Sequence, residues 1–231
     1  MNAINLVTID FVWDAPDQAR WSPFQLRGAL GRIHPGEPLF HQHDESGNVL
    51  YRYPRVHYRR TRRGAQVVGF GQAIQALTTI SWPGLVLRLG RNDVTIRDVE
   101  YCFHRHQVAI ADELIRYQFG SPWLPFNQKT HQRYCNVPTR GQPAERDRLA
   151  RAGLLMSLKQ LDVWIQERVF AAVEITRSQH CLYKDVRMLG FQGVLITNLD
   201  LPDGFALGRA VSHGYGWIVR QSLENSKCNL S

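Results

Sequence analysis

Residues 201–219 read LPDGFALGRAVSHGYGWIV, and this stretch decides which fold we predict for the chain. Its glycines, Gly204, Gly208, Gly214 and Gly216, are interspersed with aromatic and basic side chains. Glycine permits positive φ and close backbone approach, so exposed amides can face phosphate oxygens. The stretch lacks both the P-loop pattern and the strand–glycine–helix context of a dinucleotide site. A tight hairpin between edge strands is the structural alternative.

The N-terminal half has the element order of a split βαβ module. Residues 4–13 predict a strand because β-branched and aromatic side chains are frequent there. The remaining segments are a helix within 20–34, extended structure interrupted at Pro54, a strand at 65–71, a helix within 71–80 and a strand at 85–90. This order predicts a ferredoxin-like module.

The C-terminal half has a similar order of predicted strands and helices. It shows strand patterns at 92–103, 106–119, 169–175 and 187–199, a loop at 121–143 and a helix at 144–167. Leu149, Leu154, Leu155, Leu158, Leu161 and Trp164 are spaced for one buried stripe on that helix. We therefore predict an α+β fold of two tandem ferredoxin-like (RRM-like) modules, residues 1–94 and 95–231.

The charge balance points to a polyanionic partner. The chain has 28 basic and 20 acidic residues, a net charge of +8, and 24 of the basic residues are arginine. Guanidinium groups make paired hydrogen bonds to phosphate and stack on bases. A GC-rich genome would explain the arginine-to-lysine ratio but not the net charge. Nucleic acid is the commonest such partner. The sequence lacks a helix-turn-helix signature, which disfavours a DNA-binding protein.

Cysteine usage and hydropathy favour a cytoplasmic protein. Cys102, Cys135, Cys181 and Cys228 are isolated, which fits neither a zinc ribbon nor a disulfide framework. The N-terminal segment reads as a strand and not as a signal peptide. No apolar run approaches the roughly 20 residues that span a bilayer.

Two H-x-H pairs are candidate chemical groups. His41 and His43 lie beside Asp44, and the trio can be a metal site, an acid–base pair or exposed loop residues. A metal site needs further ligands, and His34 and His57 are not at diagnostic spacing. The second pair is His104 and His106, which we expect to lie on a surface strand or loop. It is the alternative catalytic pair if the first has no role in the chemistry.

Arginine and tyrosine alternate after the first pair. The cluster comprises Arg52, Arg55, Arg59, Arg60, Arg62 and Arg63 with Tyr51, Tyr53 and Tyr58. Such a strand can hold a phosphate backbone while bases stack on tyrosine, or it can be a solvated charged hairpin. Arg146, Arg148 and Arg151 stand near a helix N-terminus, where a solvated helix face is the favoured interpretation.

The 201–219 stretch resembles the C-terminal motif of the CRISPR repeat-processing endoribonucleases, the sixth Cas protein family of the repeat-associated RNA-binding superfamily. Asn198, Leu201 and Pro202 match its N-x-x-LP element, Gly208-Arg209 its turn, and Ser212, Gly214, Tyr215 and Gly216 its S-x-G-[FY]-G end. Arginine stands where lysine is frequent, and Ala206 stands where a glycine is frequent. The opening at 25–28 and the Tyr53-Pro54 strand also resemble family elements, so the likeness spans most of the chain.

The resemblance implies two ferredoxin-like halves and a metal-independent ribonuclease without a cofactor. In one branch of that family an H-x-H pair before the Y-P strand is catalytic, which implies that His41 and His43 are general base and general acid, in an order left open. Other branches use a tyrosine, a histidine and a lysine, and that lysine role cannot be filled near the pair, because the first lysine here is Lys129. Arg32, Arg59 or Arg60 would supply positive charge without transferring protons.

The expected partner is CRISPR repeat RNA, as a hairpin or a single strand, together with other Cas proteins of an effector complex. A homodimer is left open, and no membrane is expected. The predicted RNA-binding residues are Arg32, Tyr53, Arg55, Tyr58, Arg59, Arg60, Arg62, Arg63, Gly208, Arg209, Ser212, His213, Gly214 and Tyr215. The alternative function is a non-catalytic RNA-binding subunit of such a complex.

Overall fold

A computed structural model describes residues 2–14, 21–41, 52–61 and 64–221 of the chain. The chain folds into two compact units. The N-terminal unit comprises Ile4–His106 together with Ser212–Gly214, and the C-terminal unit comprises Gln107–Val211 with residues 2–3 and 215–221. Each unit contains one sheet with helices, which confirms the predicted α+β class. Within the described ranges no helix is long and apolar enough to cross a membrane.

The N-terminal unit follows the predicted order of elements. They are β1 (Ala3–Asp14), α1 (Pro23–Ile33), a short α2 (Pro38–His41), β2 (Val56–Thr61), β3 (Gly64–Phe70), α3 (Ala73–Thr78), β4 (Val86–Leu89) and β5 (Asn92–Gln107). The strand order is β2-β3-β1-β5-β4, so the β4–β5 hairpin supplies the neighbour of β1. Strand β5 continues through the boundary predicted at residue 95, and the two units divide at Gln107 instead.

One buried cluster holds the helices of this unit on the sheet. Alternation along β1 places Val7 and Ile9 in the cluster with Leu26 and Leu30 of α1. Full burial of such side chains contributes roughly 1.5–3 kcal/mol each. Helix α1 begins with a capping box, in which the Ser22 side chain accepts from an amide of the first turn and its own amide is bonded in return. The cap thereby fixes the backbone at the start of α1.

The C-terminal unit has the ferredoxin-like strand order. Its elements are β6 (Ala109–Phe119), α4 (Gln128–Asn136), α5 (Gln142–Gln160), β7 (Ala171–Tyr183), β8 (Val186–Asp200) and β9 (Ile218–Arg220). The sheet order is β7-β8-β6-β9. Between β8 and β9, where a ferredoxin-like unit has its second helix, residues 201–217 form the glycine-rich loop with one 3-10 turn, Val211–His213.

Two predictions for this half are wrong. The loop predicted at 121–143 contains α4, which starts with a reciprocal cap between Asn127 and Thr130. The helix predicted to reach residue 167 ends at Gln160, because Asp162 turns into a left-handed conformation with φ 63°. Trp164 lies beyond the helix end and is exposed, and Leu155 is exposed although it lies within the helix, so neither forms part of the buried stripe.

Candidate functional site

The end of α2 is anchored in the core of the N-terminal unit. Phe40 is buried, and its carbonyl oxygen accepts a hydrogen bond from the Tyr58 hydroxyl at 3.4 Å. The ring of His34 lies 5.5 Å from that of Phe40. The next residue, His41, closes α2, so its backbone position is tied to β2. The side chain of His41 and the whole of His43 lie outside the described residues.

The phenol that bonds to this helix end is influenced by a nearby guanidinium. Burial raises the pKa of Tyr58 above its ordinary value, and the positive charge of Arg27 opposes the shift. The Tyr58 hydroxyl is therefore protonated at physiological pH and can act as a donor. Arg27 comes from α1, in the segment whose likeness to the family was noted but to which we had assigned no role.

Arg27 also contacts the glycine-rich motif. Its guanidinium donates to Nε2 of His213 at 2.9 Å, and the Phe24 ring lies 5.2 Å from the imidazole. Because arginine only donates, Nε2 of His213 is unprotonated in this arrangement. Ser212 and His213, which belong to the predicted RNA-binding set, are both buried in this structure.

Gly214 permits this placement. It has φ +84°, and a Cβ there would lie 2.9 Å from the Tyr58 carbonyl oxygen and 2.8 Å from Cγ of Pro23. Any other side chain would push residues 212–214 away from α1 and β2. The motif glycine thus serves packing within the N-terminal unit.

The rest of the glycine-rich loop belongs to the C-terminal unit. Gly208 and Arg209 are exposed, and the Arg209 amide is tied to the Leu124 carbonyl oxygen at 2.8 Å. Tyr215 is half-buried, donates to the Leu182 carbonyl oxygen at 3.2 Å, and has a pKa raised by burial. Of the motif residues predicted to bind RNA, Gly208 and Arg209 are therefore the most accessible ones.

The arginine–tyrosine strand is largely an interior strand, which corrects its interpretation as an RNA-holding surface. Tyr53, Tyr58 and Arg59 are buried, with Arg59 only 2% exposed. Burial lowers the pKa of Arg59 to about 10, and the neighbouring Tyr53 and Asp10 counteract that shift. Side chains on both faces of β2 are buried, so its arginine and tyrosine residues cannot all face solvent.

The remaining cations of the predicted set differ in setting. Arg32 is exposed and donates to the Arg88 carbonyl oxygen at 2.9 Å. Arg60 is exposed, donates to the Trp21 carbonyl oxygen at 3.3 Å and lies 5.5 Å from the Trp21 ring centroid. Arg55 is half-buried. Arg62 and Arg63 lie outside the described residues, as does Tyr51.

His57 is a core histidine. It is fully buried, and its Nε2 donates to the Pro54 carbonyl oxygen at 3.0 Å. Burial, and secondarily the charge of Arg59, hold its pKa well below the ordinary value, so the ring is neutral.

The second H-x-H pair lies on β5, where His104 is exposed and His106 half-buried.

A pocket of about 450 Å³ adjoins α2. Its walls include Glu37, Pro38, Leu39, Arg52, Gln72 and Gln75. The amides and the guanidinium offer donors, and the pocket is open to solvent.

In the described part of the chain no group of three or more His, Cys, Asp or Glu side chains could hold a metal ion. Asp44 of the metal alternative lies outside that part.

Both halves of the chain match known domains. The Cas6b N-terminal domain matches residues 2–117, and the Cas6b C-terminal domain matches residues 109–221. Two ferredoxin-like units, the second with a glycine-rich loop in place of its second helix, define a CRISPR-associated protein of the Cas6 type. Since the matches cover nearly the whole chain, it belongs to the Cas6b family, which confirms the resemblance drawn from residues 198–217.

Solved structures share this fold. A crystal structure of Cas6b superimposes with a TM-score of 0.83 at 22% identity, covering 95% of this chain and 100% of that one. A CRISPR RNA processing endoribonuclease Cas6b gives a TM-score of 0.72 at 20% identity, with 95% and 100% covered. The uncharacterized protein MJ0978 of Methanocaldococcus jannaschii is 25% identical over 150 residues, which are 65% of this chain and 97% of that protein.

Proposed function

We propose that this protein is a metal-independent endoribonuclease that binds CRISPR precursor RNA and cuts it within the repeat. Membership of the Cas6b family is the observation that carries the proposal. The activity of a solved relative, CRISPR RNA processing, supports the reaction class. The expected partner is repeat RNA, and association with other Cas proteins is compatible with the same fold.

The reaction is an internal transesterification. One histidine of the pair His41/His43 removes the proton from the 2′-hydroxyl, whose oxygen attacks the adjacent phosphorus. The bond from phosphorus to the 5′-oxygen breaks, and the other histidine protonates that oxygen. The products are a 2′,3′-cyclic phosphate and a 5′-hydroxyl. Histidine suits both roles, since its ordinary pKa of about 6.5 makes both forms available near neutrality.

The developing negative charge on the phosphorane requires a cation, and we assign this role to Arg27. We prefer it to our sequence-based candidates because Arg59 is buried, and because the hydrogen bonds of Arg32 and Arg60 are to the Arg88 and Trp21 carbonyl oxygens and do not involve Tyr58 or Phe40. Arg27 acts electrostatically on Tyr58, whose hydroxyl is bonded to the residue before His41. Its contact with His213 keeps the guanidinium in one position.

The decisive experiment is cleavage of the repeat RNA of the same genome in EDTA. We expect the wild type to cut, His41→Ala and His43→Ala to lose cutting while retaining binding, and a 2′-deoxy substitution at the mapped scissile nucleotide to block the reaction. Cutting that stops in EDTA would replace the acid–base mechanism by a metal. Binding without any cutting by the wild type would favour the non-catalytic RNA-binding subunit.

Arg27→Ala extends this test. Loss of one preorganised donor to an oxyanion typically lowers the rate about 10²–10³-fold, and we expect a loss of that size in the single-turnover rate at saturating protein. Arg91→Ala removes an exposed guanidinium of the same unit that lies outside the predicted RNA-binding set, so it is the control and should change the rate little. Equal rates for wild type and Arg27→Ala would remove Arg27 from the mechanism.

A further inference from the structure

The C-terminal unit contains an arginine-lined pocket that is distinct from the glycine-rich loop. It has a volume of about 300 Å³ and lies between α5 and the segment that enters β7. Arg148, Arg151 and Arg168 line it together with Asp147 and Phe170, and small apolar side chains complete the wall. Resting on the proposed function, we propose that this pocket binds a phosphate of the repeat RNA, with the adjoining base stacked on Phe170.

Two of the three guanidiniums are available for an anion. Arg148 is engaged by Glu145 through two hydrogen bonds of 2.8 Å each. Arg151 and Arg168 are exposed and have no acidic partner within 4.0 Å among the described residues. The one carboxylate in the pocket, Asp147, accepts a hydrogen bond from the Val173 amide at 2.9 Å. The pocket therefore retains a net positive charge.

The segment that carries Arg168 and Phe170 is held rigidly by β8. Asn198 accepts from the Phe170 amide at 2.8 Å and donates to the Arg168 carbonyl oxygen at 3.0 Å. The Thr197 hydroxyl donates to the Phe170 carbonyl oxygen at 2.6 Å. Asn198 is the first residue of the N-x-x-LP element, and these bonds give that asparagine a role: it fixes the backbone on both sides of Val169.

The chemistry of the pocket fits a nucleotide better than a protein carboxylate. Arginine pairs bidentately with phosphate oxygens, and a base has a flat face that an aromatic ring can cover. Phe170 is 47% exposed although it adjoins the cations. A phosphate between two guanidiniums with a stacked base uses the charge and the exposed ring together.

The test measures binding of fluorescein-labelled repeat RNA that carries the 2′-deoxy substitution blocking its cleavage. Arg151→Ala with Arg168→Ala should weaken binding roughly tenfold. The slope of log affinity against log salt concentration should become shallower by about 0.7, since each neutralised phosphate of single-stranded RNA contributes about 0.7 and the pocket holds one phosphate. Arg140→Ala with Arg187→Ala removes the same charge from exposed positions outside the pocket and should have a much smaller effect.

Replacing single phosphates of the RNA by uncharged analogues identifies the phosphate that the pocket binds. Methylphosphonates introduced singly along the RNA should reveal one linkage whose neutralisation weakens wild-type binding and leaves the Arg151/Arg168 variant unaffected. Asn198→Ala should weaken binding without removing a cation. If the double arginine variant keeps the affinity and the salt slope of the wild type, the pocket does not bind an RNA phosphate, and the proposed function is unaffected. A double variant that loses only its association with another protein also overturns the RNA pocket. A wild type that binds no repeat RNA overturns both.

Discussion

The guanidinium of Arg27 donates to Nε2 of His213 at 2.9 Å although the two residues are 186 positions apart in the sequence. The contact joins the first helix to the glycine-rich motif within the N-terminal unit. A double-mutant cycle with Arg27→Met and His213→Ala should give a coupling of about 0.5–3 kcal/mol in the free energy of unfolding. Pairing Arg27→Met with His104→Ala, on exposed β5, should be additive. Additivity in the first cycle would show that the contact does not stabilise the fold.

Gly214→Ala should lower both stability and cleavage. The substitution introduces strain at φ +84° and a Cβ 2.9 Å from the Tyr58 carbonyl oxygen. We expect the unfolding free energy to decrease by at least about 1 kcal/mol. Gly36→Ala is the matched control, because a Cβ at Gly36 meets nothing within 4 Å. Urea denaturation of both variants checks the expectation, and equal midpoints would contradict it.

His57 should make the fold less stable in mild acid. Its folded-state pKa lies well below 6.5, so below pH 6.5 the unfolded chain takes up a proton that the folded chain does not. Stability contributed by the neutral ring is present above pH 6.5 and should be lost by about 1.4 kcal/mol per pH unit below it. His57→Gln should remove this part of the slope between pH 5.5 and 6.5, whereas His104→Gln should not. An unchanged slope in His57→Gln would place the titration elsewhere.

Tyr117→Phe tests how the glycine-rich loop begins. The Tyr117 hydroxyl donates to the Leu199 carbonyl oxygen at 3.2 Å and accepts from the Leu201 amide at 2.8 Å. Removing the hydroxyl leaves that buried amide without this acceptor while the ring packing is retained. We expect a loss of about 1–3 kcal/mol in the free energy of unfolding, measured by urea denaturation. A variant as stable as the wild type would mean that another acceptor replaces the phenol.

Sequence periodicity predicts most strands and α1, because alternation and apolar spacing report which face of an element is buried. It does not predict α4, whose Asn127–Thr130 cap is a start signal that we read as loop next to two prolines. Periodicity also overextends α5, since the residues after Gln160 keep apolar spacing although the backbone turns at Asp162.

The site was less accessible to sequence reasoning than the fold. The H-x-H pair and the glycine-rich motif could be recognised as local patterns. The burial of Arg59 could not be recognised from the sequence, because it depends on which residues cover the second face of β2. The roles of Arg27 and Asn198 depend on partners distant in sequence, His213 and the segment around Val169. Only the family likeness of residues 25–28 and 198 marked those positions.

The inclusion of Ser212–Gly214 in the N-terminal unit has a consequence for protein synthesis. A chain emerges from the ribosome from its N-terminus, and domains generally fold in that order. Here the first unit lacks a packed tripeptide until synthesis has passed residue 214, more than 100 residues beyond the rest of that unit. A truncated translation product would therefore carry the histidine pair without the His213 contact that holds Arg27. Under the proposed mechanism, such a truncated chain should cleave more slowly than a chain that includes residues 212–214.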